Sequence, residues 1–203
     1  RIIFIGDADA RVKEDYLRIL RFFRFFAHYG SGIADERALA ACARHASMLQ
    51  GISGERIQHE MLKLLAAKRP SATLQLMQDC GVLQQVISGK PDTSVIERLE
   101  AVEWIAGEQA EAETRLALLL NEESMEMLAQ RWKLSGTTQE ILGRLHAFLP
   151  RITKAFSIHD QKKLMRRIGL LPFRQLALMA WARDTNTRLA QDAYLPMLAL
   201  AEE

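Results

Sequence analysis

Cysteine is nearly missing from this sequence: Cys42 and Cys80 are the only two in 203 residues, with no CxxC spacing. That excludes a disulfide framework and argues against a zinc site, and it fits a reduced, cytoplasmic protein. The five histidines are scattered, and His59-Glu60 is not followed by a second histidine in metal-binding register. Glycine and proline are also scarce, at 11 and five, while 49% of the residues are apolar. This composition excludes a disordered chain and suits a folded, helix-rich one. No apolar run approaches the ~20 residues that would span a bilayer, so no membrane partner is expected, and no secretory leader pattern is present. Low-complexity stretches and solenoid-type repeats are absent as well. Arg1 opens directly into the apolar run IIFI, so the chain reads as a piece of something longer.

The net charge is only +2, but the charges are segregated. Residues 1–70 hold 12 Lys/Arg against 8 Asp/Glu, residues 71–131 hold 4 against 11, and residues 132–203 hold 11 against 6. A polyanion could touch both ends and avoid the acidic middle.

Only RIIFIG has the look of a strand, and Gly6 stops it. Everything after it has helical period. The first helix is predicted to start after Asp7 or Asp9, with Asp9 as its cap, and to run to about His28. Asp35, Ser53 and Ser71 are placed as caps of the next three. Further helices follow to the end of the chain, joined by short connections, with Pro196 as a kink or break in the last. The expected architecture is therefore all-α, an elongated multi-helix array with at most one short N-terminal strand. The seam is set at SGKPDTS, which divides residues 1–88 from 89–203. Trp104, Trp132 and Trp181 stand beside Leu and Met at helical spacing and are read as core.

The stretch KEDYLRILRFFRFF, residues 13–26, carries the chemistry. On one continuous helix Val12, Tyr16, Ile19, Leu20, Phe23 and Phe26 gather on one side, and Arg11, Glu14, Asp15, Arg18 and Arg21 on the other. Glu14–Arg18 is an i,i+4 pair and Asp15–Arg18 an i,i+3 pair. Spacing alone fits a solvated face of weak ion pairs. The hydrogen-bond inventories point further. A carboxylate only accepts and a guanidinium only donates. Side by side they complement an amino donor next to a ring-nitrogen acceptor, the edge shared by cytosine and adenine. Uracil and guanine present the reverse order and would leave buried polar groups unpaired. In that arrangement Glu14 holds the Arg18 fork in plane, and Arg21 suits a phosphate.

GDADARVKEDYLRILRFFRF resembles the start of the helical neck of class II tRNA nucleotidyltransferases, the CCA-adding enzymes, and of the related bacterial poly(A) polymerases. The family shows G-D-P-x-x-R-I-x-E-D-x-L-R-h-L-R-h-x-R-F, where h is apolar. Gly6, Asp7, Arg11, Glu14, Asp15, Leu17, Arg18, Leu20, Arg21, Arg24 and Phe25 match it, while Ala8 and Val12 depart from it. ISGERIQHEMLKLL is similar to the family's I-S-x-E-R-I-x-x-E-L-x-K-h-L segment, which braces the neck. The resemblance implies that a helix over 12–28 selects the nucleotide, with Asp15 and Arg18 as template for CTP and ATP and Glu14 orienting Arg18. It places Arg11, Arg21 and Arg24 near phosphates or the primer end. A bracing helix over 54–68 would use an Arg56–Glu60 pair. The second half would bind tRNA, and Lys162, Lys163, Arg166 and Arg167 are candidates for contact with its phosphates. The family's Mg²⁺ sits on carboxylates of a head domain, and the motifs that mark that head are not in this chain. Asp7-Ala-Asp9 is an Asp-x-Asp after a strand, but it is read as connector and helix cap, so no metal or other cofactor is assigned here. The expected function is thus the neck and body of a CCA-adding enzyme, inactive without its head. A poly(A) polymerase, or a stand-alone helical RNA-binding or scaffold module, are the alternatives. Oligomeric state is open.

Overall fold

Helical periodicity over the whole chain becomes 13 α-helices in the computed structural model, which describes residues 1–200. They are α1 (Ala8–Glu14), α2 (Arg18–Tyr29), α3 (Glu36–His45), α4 (Gly54–Leu65), α5 (Ser71–Asp79), α6 (Leu83–Val86) and α7 (Ser94–Ala106). Then come α8 (Ala112–Leu119), α9 (Glu122–Trp132), α10 (Gly136–Phe148), α11 (Ile158–Ile168), α12 (Leu170–Arg183) and α13 (Thr187–Leu200). The protein is all-α, and among the described residues there is no strand. RIIFIG is extended chain and not the predicted strand, because a strand exists only as a hydrogen-bonded pairing and no second one is there to meet it. It is held by stacking instead: the Phe4 and Phe22 rings lie 5.5 Å apart and 22° from parallel.

The chain forms two compact units. The first comprises residues 1–93 and 120–135, the second residues 94–119 and 136 onward. In the first, α2 packs on α4 and α5, and its core gathers Ile19, Leu20, Phe23, Ile57, Met61 and Leu64. Helix α9 returns to this unit late in the sequence. A capping box starts it, with Ser124 N–H donating to Asn121 Oδ1 (2.8 Å) and Asn121 N–H to Ser124 Oγ (2.9 Å). Arg131 then donates to the carbonyls of Leu49, Gln50 and Ile52, while buried Trp132 donates to the Val86 carbonyl (3.1 Å). Lys133, at φ +51°, ends the helix and pairs with Glu55.

Gly54 marks where α4 and α9 meet. A Cβ there would lie 1.8 Å from the Arg131 carbonyl oxygen, a backbone atom that cannot swing aside. Gly54→Ala is expected to cost about 3 kcal/mol, seen as a Tm lower by roughly 6–12 °C. Gly51→Ala, which meets nothing within 4 Å, is the control and should leave Tm unchanged. Equal melting of the two variants would contradict this packing.

In the second unit α12 is buried along most of its length against α7 and α13, and α8, α10 and α11 complete the layer. Trp181 is fully buried, donates to the Thr187 carbonyl (2.6 Å) and stacks on Tyr194. Trp132 and Trp181 lie in the core as predicted, but Trp104 is 78% exposed. The inward face of α7 is taken by Val95, Leu99 and Val102, and Trp104 falls outside that stripe. Helix α13 continues through Pro196 without a break.

Candidate nucleotide-selecting site

The predicted helix over 12–28 is not continuous. Asp15 has extended dihedrals (φ −160°, ψ 107°) and closes α1, and α2 begins only at Arg18. The cause is local and chemical. Asp15 Oδ1 accepts the Leu17 N–H (3.1 Å), an Asx turn that competes with the helical ladder. The Arg18 N–H then returns to the Asp15 carbonyl (2.9 Å). Asp15 and Arg18 therefore sit at the two ends of one tight turn, not on one helix face.

Each has its own counter-ion. Arg18 Nη1 donates to Glu14 Oε2 and to the Arg11 carbonyl (2.9 Å). Its Nε and Nη2 have no partner among the described residues. The predicted Glu14–Arg18 pair is present, and the hydrogen bond from Arg18, followed by that from Arg11, holds the Glu14 carboxyl below its usual range. Asp15 does not bond the Arg18 side chain. Its Oδ2 accepts from Arg56 (2.8 Å), a residue of α4. A carboxylate has about four lone-pair sites, so two bonds leave Asp15 able to accept more.

The expected Arg56–Glu60 pair is replaced by two longer-range ones. Arg56 reaches Asp15, and the nearly buried Glu60 accepts from Arg24 Nε (2.6 Å). Local spacing suggested the i,i+4 partner, but α4 packs against α2, and each side chain finds an opposite charge there. Arg24 also lies over the Phe25 ring, 4.2 Å from its centroid. The structure thus ties Arg24 into the α2–α4 contact and not toward an open surface. Arg21 is exposed and has no partner among the described residues.

Arg11, Arg18 and Arg21 line one cleft of about 420 Å³ together with Ile3, Phe4 and Phe22; Asp15 does not line it. A larger concavity of about 1070 Å³ lies between the N-terminal segment, α1 and α3. Its three aspartates are already engaged. Asp7, and not Asp9, caps α1 by accepting the Ala10 N–H (2.7 Å), and Asp35 caps α3 through Ala38 (2.9 Å). Asp9 is instead bound by Arg44 and His45, and the Arg44 contact lowers its carboxyl from the usual value. The Asp7-x-Asp9 pair therefore does not fit a metal, and no cluster of three or more metal-ligating side chains occurs among the described residues. Cys42 is buried, which pushes its thiol up to about 12 and makes it inert. No helix among the described residues is long and apolar enough to cross a membrane.

Sequence reasoning treated Arg56 as general support and missed its specific partner. The sequence offered Glu60 as its i,i+4 partner, and nothing in the spacing pointed to Asp15. If Asp15 reads the base and the Arg56 bond positions it, Arg56→Ala is expected to weaken discrimination between C and U about tenfold. Tm should fall by only a few degrees, since the pair is half exposed. Comparing kcat/KM for CTP and UTP in the intact protein checks this, and an unchanged ratio would exclude a role for Arg56 in reading.

A family model described as the probable RNA- and SrmB-binding site of polymerase A matches residues 34–95. The mitochondrial CCA tRNA nucleotidyltransferase 1 of Danio rerio is 32% identical over 168 residues, covering 80% of this chain and 38% of that protein. The CCA-adding enzyme of Geobacillus thermodenitrificans is 32% identical over 152 residues, covering 73% and 37%. The chain therefore spans less than two fifths of these relatives. Among solved structures, the Thermotoga maritima CCA-adding enzyme complexed with tRNA superposes with a TM-score of 0.68 at 17% identity, covering 96% of this chain and 50% of that one. The Bacillus stearothermophilus CCA-adding enzyme in complex with CTP gives 0.66 at 23%, covering 96% and 49%. These two show a shared fold.

Proposed function

The chain belongs to the family of CCA-adding enzymes, and on that premise we propose that it is the base-selecting and tRNA-holding portion of a tRNA nucleotidyltransferase that adds C and A to the tRNA 3′ end from CTP and ATP. One observation carries the reading. Glu14 and the Arg11 carbonyl fix one nitrogen of Arg18 and leave its other donors open, one tight turn from a carboxylate with spare acceptor sites. Such a donor–acceptor pair accepts the cytosine and adenine edges and penalises uracil and guanine. Arg21 and Arg11 contact phosphate or the primer end in this scheme. Arg24, bound to Glu60, joins Arg56 in support. The basic α11 faces tRNA phosphates.

The whole protein would also need Mg²⁺, which activates the 3′-hydroxyl and stabilises pyrophosphate when bound. The residues here do not fit it, because Asp9 is held by Arg44 and His45 and Asp7 caps a helix. In this reading the metal belongs to the family's head domain, and the chain alone does not transfer nucleotides. The compartment we assign is the cytoplasm, from the reduced cysteines; the matrix is the alternative raised by the mitochondrial relatives.

A second reading, a poly(A) polymerase of the same family, is favoured by the family model over 34–95. Supplying the intact protein with a tRNA lacking its CCA end and with each nucleoside triphosphate in turn separates them. Addition of C, C and A supports the first reading, and addition of A alone the second. Uptake of none of the four would leave a helical RNA-binding module.

A further inference from the structure

The predicted basic cluster of α11 is not one surface. Lys163 and Arg167, one turn apart, join Arg151, Phe156, Asp160 and Leu164 in lining a cleft of about 240 Å³. Lys162 and Arg166 do not line it. Both arginines of the cleft lie on one ring: Arg151 Cζ is 5.1 Å and Arg167 Cζ 5.3 Å from the Phe148 centroid. One aromatic ring thus anchors both guanidiniums through cation–π contacts.

Like charges gathered in a concavity repel, and a folded chain normally relieves this with a carboxylate. Here Arg151, Lys163 and Arg167 have no ion-pair partner among the described residues. Asp160, the one acid in the lining, is engaged with Ser157: its Oδ2 accepts the Ser157 hydroxyl (2.6 Å), and that hydroxyl oxygen accepts the Asp160 N–H as the cap of α11. Lys154, a further cation of the same stretch, is already neutralised by Asp184. The three cations of the cleft are thus preorganised, and the single Asp160 carboxylate, which forms no ion pair with any of them, leaves positive charge in excess.

We infer that Arg151, Lys163 and Arg167, braced on Phe148, form a niche for a single phosphate of an RNA backbone, and that Lys162 and Arg166 are outside it. The inference rests on the RNA-holding reading above and sharpens it by dividing four similar cations into two functional sets. A shared niche has a distinctive signature. One bound phosphate accounts for one unit of salt dependence, however many cations surround it.

The test is tRNA binding by the full chain over a range of salt, with Arg151→Ala, Arg167→Ala, the double variant, and Lys162→Ala/Arg166→Ala as comparison. All four positions are exposed, so folding should survive, and a melting curve for each variant checks it. Each niche variant is expected to bind about tenfold more weakly, with the log–log salt slope reduced by about one. The double variant should lose little more in slope. The comparison variant should lose less than threefold in affinity. Additive slope losses, or equal effects of the two sets, would overturn the niche in favour of a uniform solvated face. Inorganic tripolyphosphate is the second probe. If it binds and the niche variants abolish that binding while tRNA does not bind, the RNA reading falls and the niche stands. If tRNA binds and the niche variants bind it as the parent does, the niche falls and the RNA reading stands.

Discussion

Arg18→Ala in the intact protein is expected to reduce the preference for CTP and ATP over UTP and GTP by about 100-fold. Two hydrogen bonds contribute, and their effects add. A buried donor or acceptor left without its partner costs about 1–3 kcal/mol, and each 1.4 kcal/mol is a factor of ten. In the proposed template the wrong base misaligns two such groups, which is worth roughly two decades. Removing Arg18 takes away the donor half, and with it the penalty on uracil and guanine. Asp15→Ala removes the acceptor half and should act similarly. Arg18→Lys is the more telling variant. It keeps the charge but not the planar fork that Glu14 and the Arg11 carbonyl hold in place. It should therefore lose selectivity as Arg18→Ala does, although the charge is retained. The measurement is kcat/KM for all four nucleotides, since discrimination is a ratio of those values. A ratio that survives Arg18→Ala and Asp15→Ala would refute the template reading.

The same turn shows what the sequence could and could not disclose. Helix content was legible because apolar residues recur at helical period, and the caps at Asp35 and the start after Asp7 were visible as residue types. The interruption at Asp15 was not. The wheel for residues 11–26 is apolar on one side throughout, and nothing in its period announces a break. What breaks it is one aspartate bonding the Leu17 N–H while Arg56, 41 residues away, takes its other oxygen. A periodicity argument contains no term for either bond. The Arg56–Glu60 pair failed for a related reason. Spacing of four on a helix identifies a partner that is near, but an opposite charge on a packed neighbouring helix competes for the same side chain.

RIIFIG failed in the opposite direction. Its β-branched run has strand propensity, yet propensity describes how well a residue fits a pleated, half-buried surface, and no such surface is present among the described residues. Trp104 likewise has the composition of a core residue and lacks the phase of one. The return of α9 to the first unit depends on Arg131 meeting three carbonyls of a turn some 80 residues earlier. Individual side chains offered no hint of that, although Gly54 is the position where the close approach is recorded: a residue with no Cβ opposite a backbone carbonyl.

The largest stability effect is expected in the second unit, at Arg115→Met. Arg115 is fully buried and donates through Nε and Nη2 to Glu103, whose Oε1 also accepts the Ala110 N–H (2.8 Å). The pair fastens the segment between α7 and α8. Methionine keeps much of the volume but leaves a buried carboxylate without its cation, at a cost of about 3–5 kcal/mol, or roughly 10 °C in Tm. The pH dependence identifies the cause. Burial raises the Glu103 carboxyl above its usual value, and Arg115 opposes that rise. The folded state therefore holds this proton more tightly than the unfolded chain does. Stability falls as pH climbs from the ordinary glutamate range through the folded value. Without Arg115 the folded value rises further, so the window widens upward and the Tm deficit should be smaller at pH 5 than at pH 8. Pairing Arg115→Met with Glu103→Gln removes the charge and retains the acceptor for Ala110. That double variant should recover most of the loss at pH 8, since well-packed neutral groups replace buried ion pairs at little cost. A deficit independent of pH, or one the double variant fails to repair, would mean that Arg115 acts through its packing volume and not through Glu103.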